Sequence, residues 1–341
     1  MSRIDWGLAE HVAGLTGGGP GDTSPLAVDL REVAADAAER VIAYTGLVPA
    51  EPLPEAEAVG RAAWRAANYA SFDALMGPLV EQAGKGLGPL HGVVAGGAGM
   101  VVGAEAGALT GLLGRRVLGQ VDVRLTDPDA PLRLLLVVPN LHGVAAALEV
   151  DEAQLVRWVT IHELTHAVQF TAVPWLRAHL GSMITELLDS SSGAADALPR
   201  TPDDVRRLVA QARDGSFLTL ALGPERAALV ERVQSTMSLI EGHAEHVMDA
   251  AGAAVLPDLA GLRSALKARR ESTAGLSPWK LVERLLGLEL KLRQYEDGKR
   301  FCDAVVAAAD VATLHRAFAE PDLLPTAAEL KAPAAWVARA R

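Results

Sequence analysis

Cysteine and aromatic residues are scarce in this sequence of 341 residues. The single cysteine, Cys302, excludes a disulfide within the chain and favours a reducing compartment. Its thiol is expected to fill space on a helix rather than to act as a nucleophile. Aromatic residues make up only 4% of the chain while 50% is hydrophobic, so the core must be built from Ala, Leu and Val. That composition favours helices.

Basic residues are also fewer than acidic ones, 32 Lys and Arg against 42 Asp and Glu. The formal net charge is −10, and no basic run exceeds three residues. This argues against a nucleic-acid partner, because such a partner requires a positively charged face. The first residues, Met1 to Leu15, contain no continuous apolar stretch, so no secretory signal is expected.

A stretch from Gly92 to Gly114 imitates a membrane span, with Glu105 as its only charge. Small residues recur along it at every fourth position, namely at Ala95, Gly99, Gly103, Gly107 and Gly111. In a helix this spacing places them on one face, where another helix can approach closely. A bilayer crossing requires about 20 strongly apolar residues, and Gly and Ala gain little in lipid. A buried, glycine-faced helix or helical hairpin is therefore expected rather than a membrane span.

The hydrophobic pattern predicts a mainly helical fold with one small β-hairpin or sheet. Strands are expected at Gln120–Leu125, where apolar and polar residues alternate, and at Leu132–Val138, a short apolar run. Residues 1–27 contain a glycine-rich break and are expected to be irregular. Helical periodicity predicts the longer elements, which are Val28–Tyr44, Ala56–Ala83, Asp151–Phe170, Trp175–Leu188, Glu225–Ala251, Asp258–Arg270 and Ser277–Asp310, with a further helix opening at Thr201.

The segment His162-Glu163-Leu164-Thr165-His166 is the strongest chemical signal in the sequence. A helix rises about 1.5 Å per residue, so the two histidines stand about 6 Å apart along one face and can converge on one metal ion. Zinc accepts nitrogen ligands at about 2.0 Å in tetrahedral geometry. Glu163, next to the first ligand, can reach a water on that metal and act as general base. The apolar flanks are typical of a buried active-site helix and disfavour two incidental surface histidines.

The third metal ligand must come from elsewhere in the chain. The metzincin extension requires glycine and histidine where this sequence has Gln169 and Ala172, so that class is excluded. The best candidate segment is Ile240–Asp249. Its start, Glu-Gly-His-Ala from Glu241 onward, resembles the third-ligand helix of gluzincins. By that resemblance Glu241 binds zinc, and Gly242 lets this helix come close to the first one.

The same segment supplies candidate supporting residues. Glu245 lies one turn after Glu241 and is suited to accept a hydrogen bond from a ligand histidine, although the sequence leaves open an exchange of these two roles. Either His243 or His246 is suited to stabilise an oxyanion, and His246 is the catalytic candidate. The alternative is that both are polar residues at the helix edge. His179 is a less favoured alternative metal ligand.

Six stretches of the sequence form a pattern in chain order. They are WRAANYASFDALMGPL (64–79), VLGQVD (117–122), VVPNL (137–141), WVTIHELTHAVQF (158–170), MSLIEGHAEHVMD (237–249) and LLGLELKLRQYEDG (285–298). The chain resembles a family of zincin-like proteins described as hydrolases mainly from their sequences. It looks most like the subgroup whose genes accompany biosynthesis of the deazaflavin coenzyme in actinobacteria. The resemblance implies a zincin-like, gluzincin-type metallopeptidase architecture and a cytoplasmic setting.

The chain departs from that family pattern at two places. Relatives more often carry an Asp-Arg-Pro-Gly type turn near residues 60–63, and Tyr is common where this chain has Val121. Both positions lie outside the metal motif, so they bear on local contacts rather than on the metal.

These features predict a zinc-dependent hydrolase that cleaves a peptide or small amide by metal-activated water, with Glu163 as general base. One zincin-like domain is expected over residues 1–338, in which two helical lobes, about 1–150 with the small sheet and 151–338 with the metal helices, would flank the active-site cleft. The alternative is a zincin-fold protein that no longer cleaves peptides and serves as a binding or maturation partner in deazaflavin coenzyme metabolism. The sequence predicts neither the specificity nor the oligomeric state.

Overall fold

The computed structural model of the chain describes residues 4–82, 91–125, 127, 129–189, 224–253, 255–272 and 295–340. Contacts between Cα atoms divide the chain into two compact units. The first contains Met1–Ala172 and Ala244–Lys291, and the second contains Val173–His243 and Leu292–Arg341. Over the described residues the chain is mostly helical with one small sheet, so the predicted fold class is confirmed. The helix predicted to open at Thr201, and the part of Ser277–Asp310 before Tyr295, lie outside the described residues.

A small sheet lies in the first unit. Strand β1 (Ala56–Val59) runs parallel to β3 (Arg133–Val137), and β2 (Gly119–Asp122) runs antiparallel to β3, which is therefore the central strand. Strands β2 and β3 confirm the two predicted strands. Strand β1 corrects the prediction of a helix from Ala56, since that helix begins only at Arg61. Four residues are too few to distinguish a strand from the first turn of a helix by periodicity.

Most of the predicted helices keep close to their predicted bounds, and the structure adds helices that the sequence analysis does not predict, at residues 6–16, 138–148, 311–315, 327–331 and 333–340. The helices of the first unit are α1 (Trp6–Thr16), α2 (Leu30–Thr45), α3 (Arg61–Gln82), α4 (His91–Gly114), α5 (Val138–Leu148), α6 (Glu152–Ala172) and α9 (Leu259–Ser272). Helix α7 (Pro174–Asp189) belongs to the second unit, and α8 (Pro224–Gly252) contributes residues to both. Helices α10 (Tyr295–Ala308), α11 (Val311–His315), α12 (Ala327–Lys331) and α13 (Pro333–Ala340) complete the second unit, together with the short 3₁₀ turns Arg316–Phe318 and Pro321–Leu323.

Helix α1 occupies residues that the sequence predicts to be irregular. Asp5 caps it by accepting a hydrogen bond from the backbone N–H of Leu8 at 2.8 Å. Its alanine face lies against the glycine face of α4, where a Cβ atom on Gly107 would come within 2.7 Å of the Ala9 Cα. The close approach expected on the small residues of α4 is therefore confirmed. The residues of α1 that are buried are the small Ala9 and Ala13, so the buried face of this helix carries little of the hydrophobic signal that reveals a helix in a sequence.

The described helices include none that is both long enough and apolar enough to cross a membrane.

The core of the first unit forms around α6. Its residues Leu155, Val159 and Leu164 are buried among residues of α2, α5 and the sheet. Apolar residues on nearly every side of α6 explain why this helix is buried rather than amphipathic. The motif between residues 162 and 166 therefore lies on one of the most enclosed elements of the unit.

A histidine also ties the segment before α2 to the start of α6. His142 donates through Nδ1 to Glu152 Oε2 at 2.5 Å and through Nε2 to the backbone oxygen of Ser24 at 3.0 Å. Both ring nitrogens donate only in the imidazolium form. The hydrogen bond to the Ser24 carbonyl and the one to Glu152 raise the pKa of His142, although burial acts in the opposite direction.

The contacts of His142 should make the stability of the fold depend on pH. A raised folded-state pKa means that protonation of His142 stabilises the folded chain. This contribution is fully present below the ordinary histidine pKa of about 6.5 and is lost as the pH rises through the higher folded value. The unfolding free energy of the parent should therefore exceed that of His142→Gln most at about pH 5.5, and the difference should shrink toward about pH 8.5. Urea unfolding at both pH values measures this difference, and one that grew with pH would contradict the assignment.

The second unit has a core of its own around α10 and α13. Phe301 is fully buried, and its ring centroid lies 5.3 Å from that of Trp336, whose indole N–H donates to the backbone oxygen of Leu323. Cys302 is also fully buried, and this burial raises the pKa of its thiol. The thiol is therefore held in its neutral form, as expected of a residue that fills space.

Two glycines let α8 and α10 approach each other closely within the second unit. A Cβ atom on Gly242 would come within 2.6 Å of the Gly298 Cα, and one on Gly298 would come within 2.7 Å of the Ser238 backbone carbon. The prediction that Gly242 serves the approach of α8 to α6 is therefore corrected. The missing side chain makes room for the backbone of α10.

Candidate metal centre

His162 and His166 lie one turn apart on α6, and their rings converge. Their Nε2 atoms are 3.2 Å apart, and the ring planes make an angle of 89°. Two nitrogens at this separation of 3.2 Å, each about 2.05 Å from a zinc ion, would subtend roughly 103° at the ion, near the tetrahedral angle. His166 is buried and His162 is half-buried. The pair thus has the spacing of two ligands of one tetrahedral ion.

Glu241 of α8 lies close to both histidines. One ligand atom from each of His162, His166 and Glu241 can be chosen so that all three lie within 4.8 Å of one another. Two imidazole nitrogens and a carboxylate oxygen suit zinc and leave a fourth position for water. Among the described residues, no second group of three such side chains lies this close together. The structure therefore brings together the three predicted ligands, and their donor types fit zinc.

The part of α8 that belongs to the first unit packs against α6. Val247 and Met248 are buried in the same core cluster as Ile161 and Leu164.

Gln169 lies next to the candidate metal ligand His166, and the sequence alone assigns it no role. Its side chain is fully buried, and its carboxamide oxygen lies 2.9 Å from His166 Nδ1. The oxygen accepts the Nδ1 proton, which leaves the Nε2 lone pair of His166 available to a metal. This is the contact predicted from the sequence for Glu245. The supporting role predicted for the half-buried Glu245 stays a prediction.

Removing the Gln169 carboxamide should weaken zinc binding without removing a ligand. We expect Gln169→Ala to lower the zinc affinity by roughly 10–100-fold, because the imidazole of His166 loses the group that orients it. Competition with a chromogenic chelator at fixed pH measures this effect. Gln154→Ala, in the first turn of the same helix, is the matched control and should bind zinc as the parent does. Equal affinities for both variants would show that Gln169 does not orient the ligand.

Glu163 lies against strand β2. Its carboxylate is buried, and Oε2 accepts a hydrogen bond from the backbone N–H of Val121 at 3.0 Å. A Cβ atom on Gly119 would come within 2.8 Å of Glu163 Cγ, so glycine leaves the space in which this side chain lies. The candidate general base is therefore held by the backbone of a strand as well as by its own helix.

The two histidines of the third-ligand segment have different environments. His246 is buried in the first unit, where Tyr44 Oη lies 2.8 Å from its Nε2. His243 is fully buried in the second unit, with its Nε2 3.3 Å from that of His315. Neither histidine is exposed to solvent. His246 keeps its place as the catalytic candidate, now with Tyr44 as a partner that the sequence alone does not identify.

His179, the alternative metal ligand, is not part of the three-residue cluster. It lies on α7, where its ring centroid is 5.6 Å from that of Trp175, and burial lowers its pKa.

Comparisons with known proteins agree with this geometry. A family model described as zincin-like metallopeptidase matches residues 4–337. A crystal structure from Chloroflexus aurantiacus, described as a proposed hydrolase with a novel fold, is 30% identical in sequence. The alignment covers 98% of each chain with a TM-score of 0.71. A search of curated proteins finds no match. Because the family model spans nearly the whole chain, and with it both metal-ligand helices, this protein belongs to the zincin-like metallopeptidase family.

Proposed function

We propose that the protein is a zinc-dependent hydrolase that cleaves peptide or amide bonds. The observation that carries this proposal is the convergence of the His162 and His166 Nε2 atoms, 3.2 Å apart, with Glu241 completing the ligand set. Membership of the zincin-like metallopeptidase family supports the same chemistry. A peptide or small amide substrate and a cytoplasmic setting are parts of this proposal.

The proposed chemistry divides between the metal and the protein. Zinc, when bound, acts as a Lewis acid and brings the pKa of a coordinated water to about 7. Glu163 takes a proton from the attacking water and returns it to the nitrogen that leaves when the amide bond breaks. Its Oε2 atom accepts from the Val121 N–H, and that bond orients the carboxylate. His246, paired with Tyr44, is proposed to stabilise the developing oxyanion.

Zinc analysis is the first test of the proposed ligand set. We expect one zinc ion per chain in the parent protein and none in the His162→Ala and His166→Ala variants, because either substitution leaves at most two of the three protein ligands. Elemental analysis after dialysis against trace zinc measures the stoichiometry. His11→Ala, an exposed histidine on α1, is the control for nonspecific binding to imidazole. A parent chain that takes up no stoichiometric zinc would remove the basis of the proposal.

Turnover separates the two functional hypotheses. A zinc-dependent hydrolase should cleave members of a peptide and acyl-amide library, and chelation should stop the cleavage. A protein that binds zinc stoichiometrically but cleaves no member of the library would instead fit the catalytically silent alternative in deazaflavin coenzyme metabolism. Mass-spectrometric detection of new termini reads out both results and does not require the substrate to be chosen in advance.

A further inference from the structure

Strand β2 separates the candidate general base from helix α3. Residues alternate between the two faces of a strand, so Gln120 and Asp122 share one face and Gly119 and Val121 share the other. The first face meets α3, where Ser71 donates to Asp122 Oδ1 at 3.0 Å. The second face meets Glu163 of α6. The strand therefore connects a network on α3 to the carboxylate of the base.

The pairing of β2 directs the Val121 amide toward Glu163. The Leu118 carbonyl accepts from the Val137 N–H at 2.8 Å, so Leu118 faces the central strand. In an antiparallel pair alternate residues exchange hydrogen bonds with the partner strand. The N–H of Val121, three residues further on, therefore points away from β3, and Glu163 Oε2 accepts it at 3.0 Å.

Gly119 leaves room for the other carboxylate oxygen. A Cβ atom at this position would come within 2.8 Å of Glu163 Cγ, 2.8 Å of Val159 Cγ1 and 3.1 Å of Glu163 Oε1. Contacts this short are not tolerated, so an alanine here would displace the glutamate, the valine or the strand. Gly119 and the Val121 amide thus bound the carboxylate from one side.

Helix α3 holds the opposite face of β2 through a buried amide network. The indole N–H of Trp64, a fully buried residue, donates to Gln120 Oε1 at 2.6 Å. Asn68 donates to the same oxygen and accepts from Gln120 Nε2 at 3.2 Å. The carboxamide of Gln120 forms hydrogen bonds through both its oxygen and its nitrogen. These bonds hold β2 in place from the face opposite Glu163.

We propose that β2 is the positioning element of Glu163. In this arrangement Gly119 makes space for the carboxylate, the Val121 amide orients it, and Gln120 anchors the strand to α3. Glu163 remains the catalytic residue, and Gly119, Gln120 and Val121 act through it. The inference rests on the proposed function only in that it gives Glu163 the role of base.

The Val121 amide resonance tests the contact in the metal-free protein. A chain labelled with [¹⁵N]valine gives one signal for this amide, which is identified by its loss in Val121→Ile. A hydrogen bond to a carboxylate moves an amide proton downfield, so the signal should move upfield in Glu163→Ala. Glu163→Gln keeps an acceptor oxygen and should give a smaller displacement. Gly119→Ala should move the signal in the same direction as Glu163→Ala, whereas Gly143→Ala, at a glycine with nothing within 4 Å, should leave it in place.

Two results of the NMR experiment would overturn the proposal. One is a Val121 signal that stays in place in Glu163→Ala. The other is a Gly119→Ala signal that matches the parent. If Gly119→Ala fails to fold, the double variant Gly119→Ala/Val159→Ala replaces it in the experiment. The second substitution removes the close contact of the new Cβ atom with Val159 Cγ1. None of these measurements uses zinc, so a protein that failed to bind zinc would contradict the proposed function and leave this contact standing.

Zinc and turnover measurements distinguish positioning from a general structural effect. Gly119→Ala should bind zinc with the parental stoichiometry, because His162, His166 and Glu241 are unchanged. Its kcat on a cleaved library peptide should fall while KM stays near the parental value, since the carboxylate rather than substrate binding is disturbed. A Gly119→Ala variant that bound zinc and kept the parental kcat would overturn the positioning role.

Discussion

The Glu163→Gln variant should bind zinc like the parent protein and lose hydrolysis by about 100- to 10,000-fold, the range that general base catalysis contributes. The substitution preserves the size of the side chain and an oxygen that can accept from Val121 N–H. It removes the group that takes the proton from water. Because Glu163 is not among the three clustered ligands, the metal content should not change. The ratio kcat/KM on a library peptide and the zinc stoichiometry are measured on the same preparation.

A matched control variant shows whether the loss of hydrolysis in Glu163→Gln is specific to the site. Glu55→Gln makes the same chemical change at a side chain that is 87% exposed, and it should leave the rate unchanged. Parental turnover in Glu163→Gln would show that another group acts as base. Loss of zinc in that variant would instead mean that Glu163 helps to hold the metal.

The metal motif was predictable because its spacing depends only on helix geometry. Residues 162 and 166 face the same way in any α-helix, and the apolar flanks indicate burial. The structure adds the separation of the two Nε2 atoms, which the rotamers set and which the sequence does not encode locally. Gln169 was within reach of the same reasoning, since it lies three residues after His166 on the same helix face.

Contacts between distant segments were less accessible. Strand β1 pairs in parallel with β3, and its four residues carry no alternation strong enough to separate them from the helix that follows. Tyr44 meets His246 only because α2 and α8 pack in the same unit. Such pairings are determined by the tertiary fold, and a single sequence gives no direct measure of them.

Gly242 was predicted correctly as a site of close helix approach, but the predicted partner helix was wrong. The sequence suggests that this glycine makes space for α6, but its closest neighbours are the backbone atoms of Gly298 and Lys299 in α10. A glycine in a helix indicates close approach without naming the partner. The support for Glu241 as a ligand therefore comes from its proximity to the two histidines rather than from the glycine beside it.

Glu241→Ala should weaken zinc binding by much more than about 100-fold, whereas Glu245→Ala should weaken it by roughly 10–100-fold at most. The first substitution removes an oxygen that lies within 4.8 Å of the ligand atoms of both histidines. The second removes a carboxylate one turn, about 6 Å, further along α8. Glu245 can orient a ligand from there but is badly placed to share the ion. Chelator competition at fixed pH gives both affinities.

The order of the two effects decides which glutamate is the ligand. Glu225→Ala, an exposed glutamate in the first turn of α8, controls for the loss of one negative charge from this helix and should retain parental affinity. If Glu245→Ala were the more damaging variant, the two glutamates would exchange roles, and the zinc site of His162 and His166 would stand with a different third ligand. If neither variant differed from Glu225→Ala, neither glutamate would bind zinc. The clustering of Glu241 with the histidines, together with the position of Glu245 a full turn away, makes the first order the expected one.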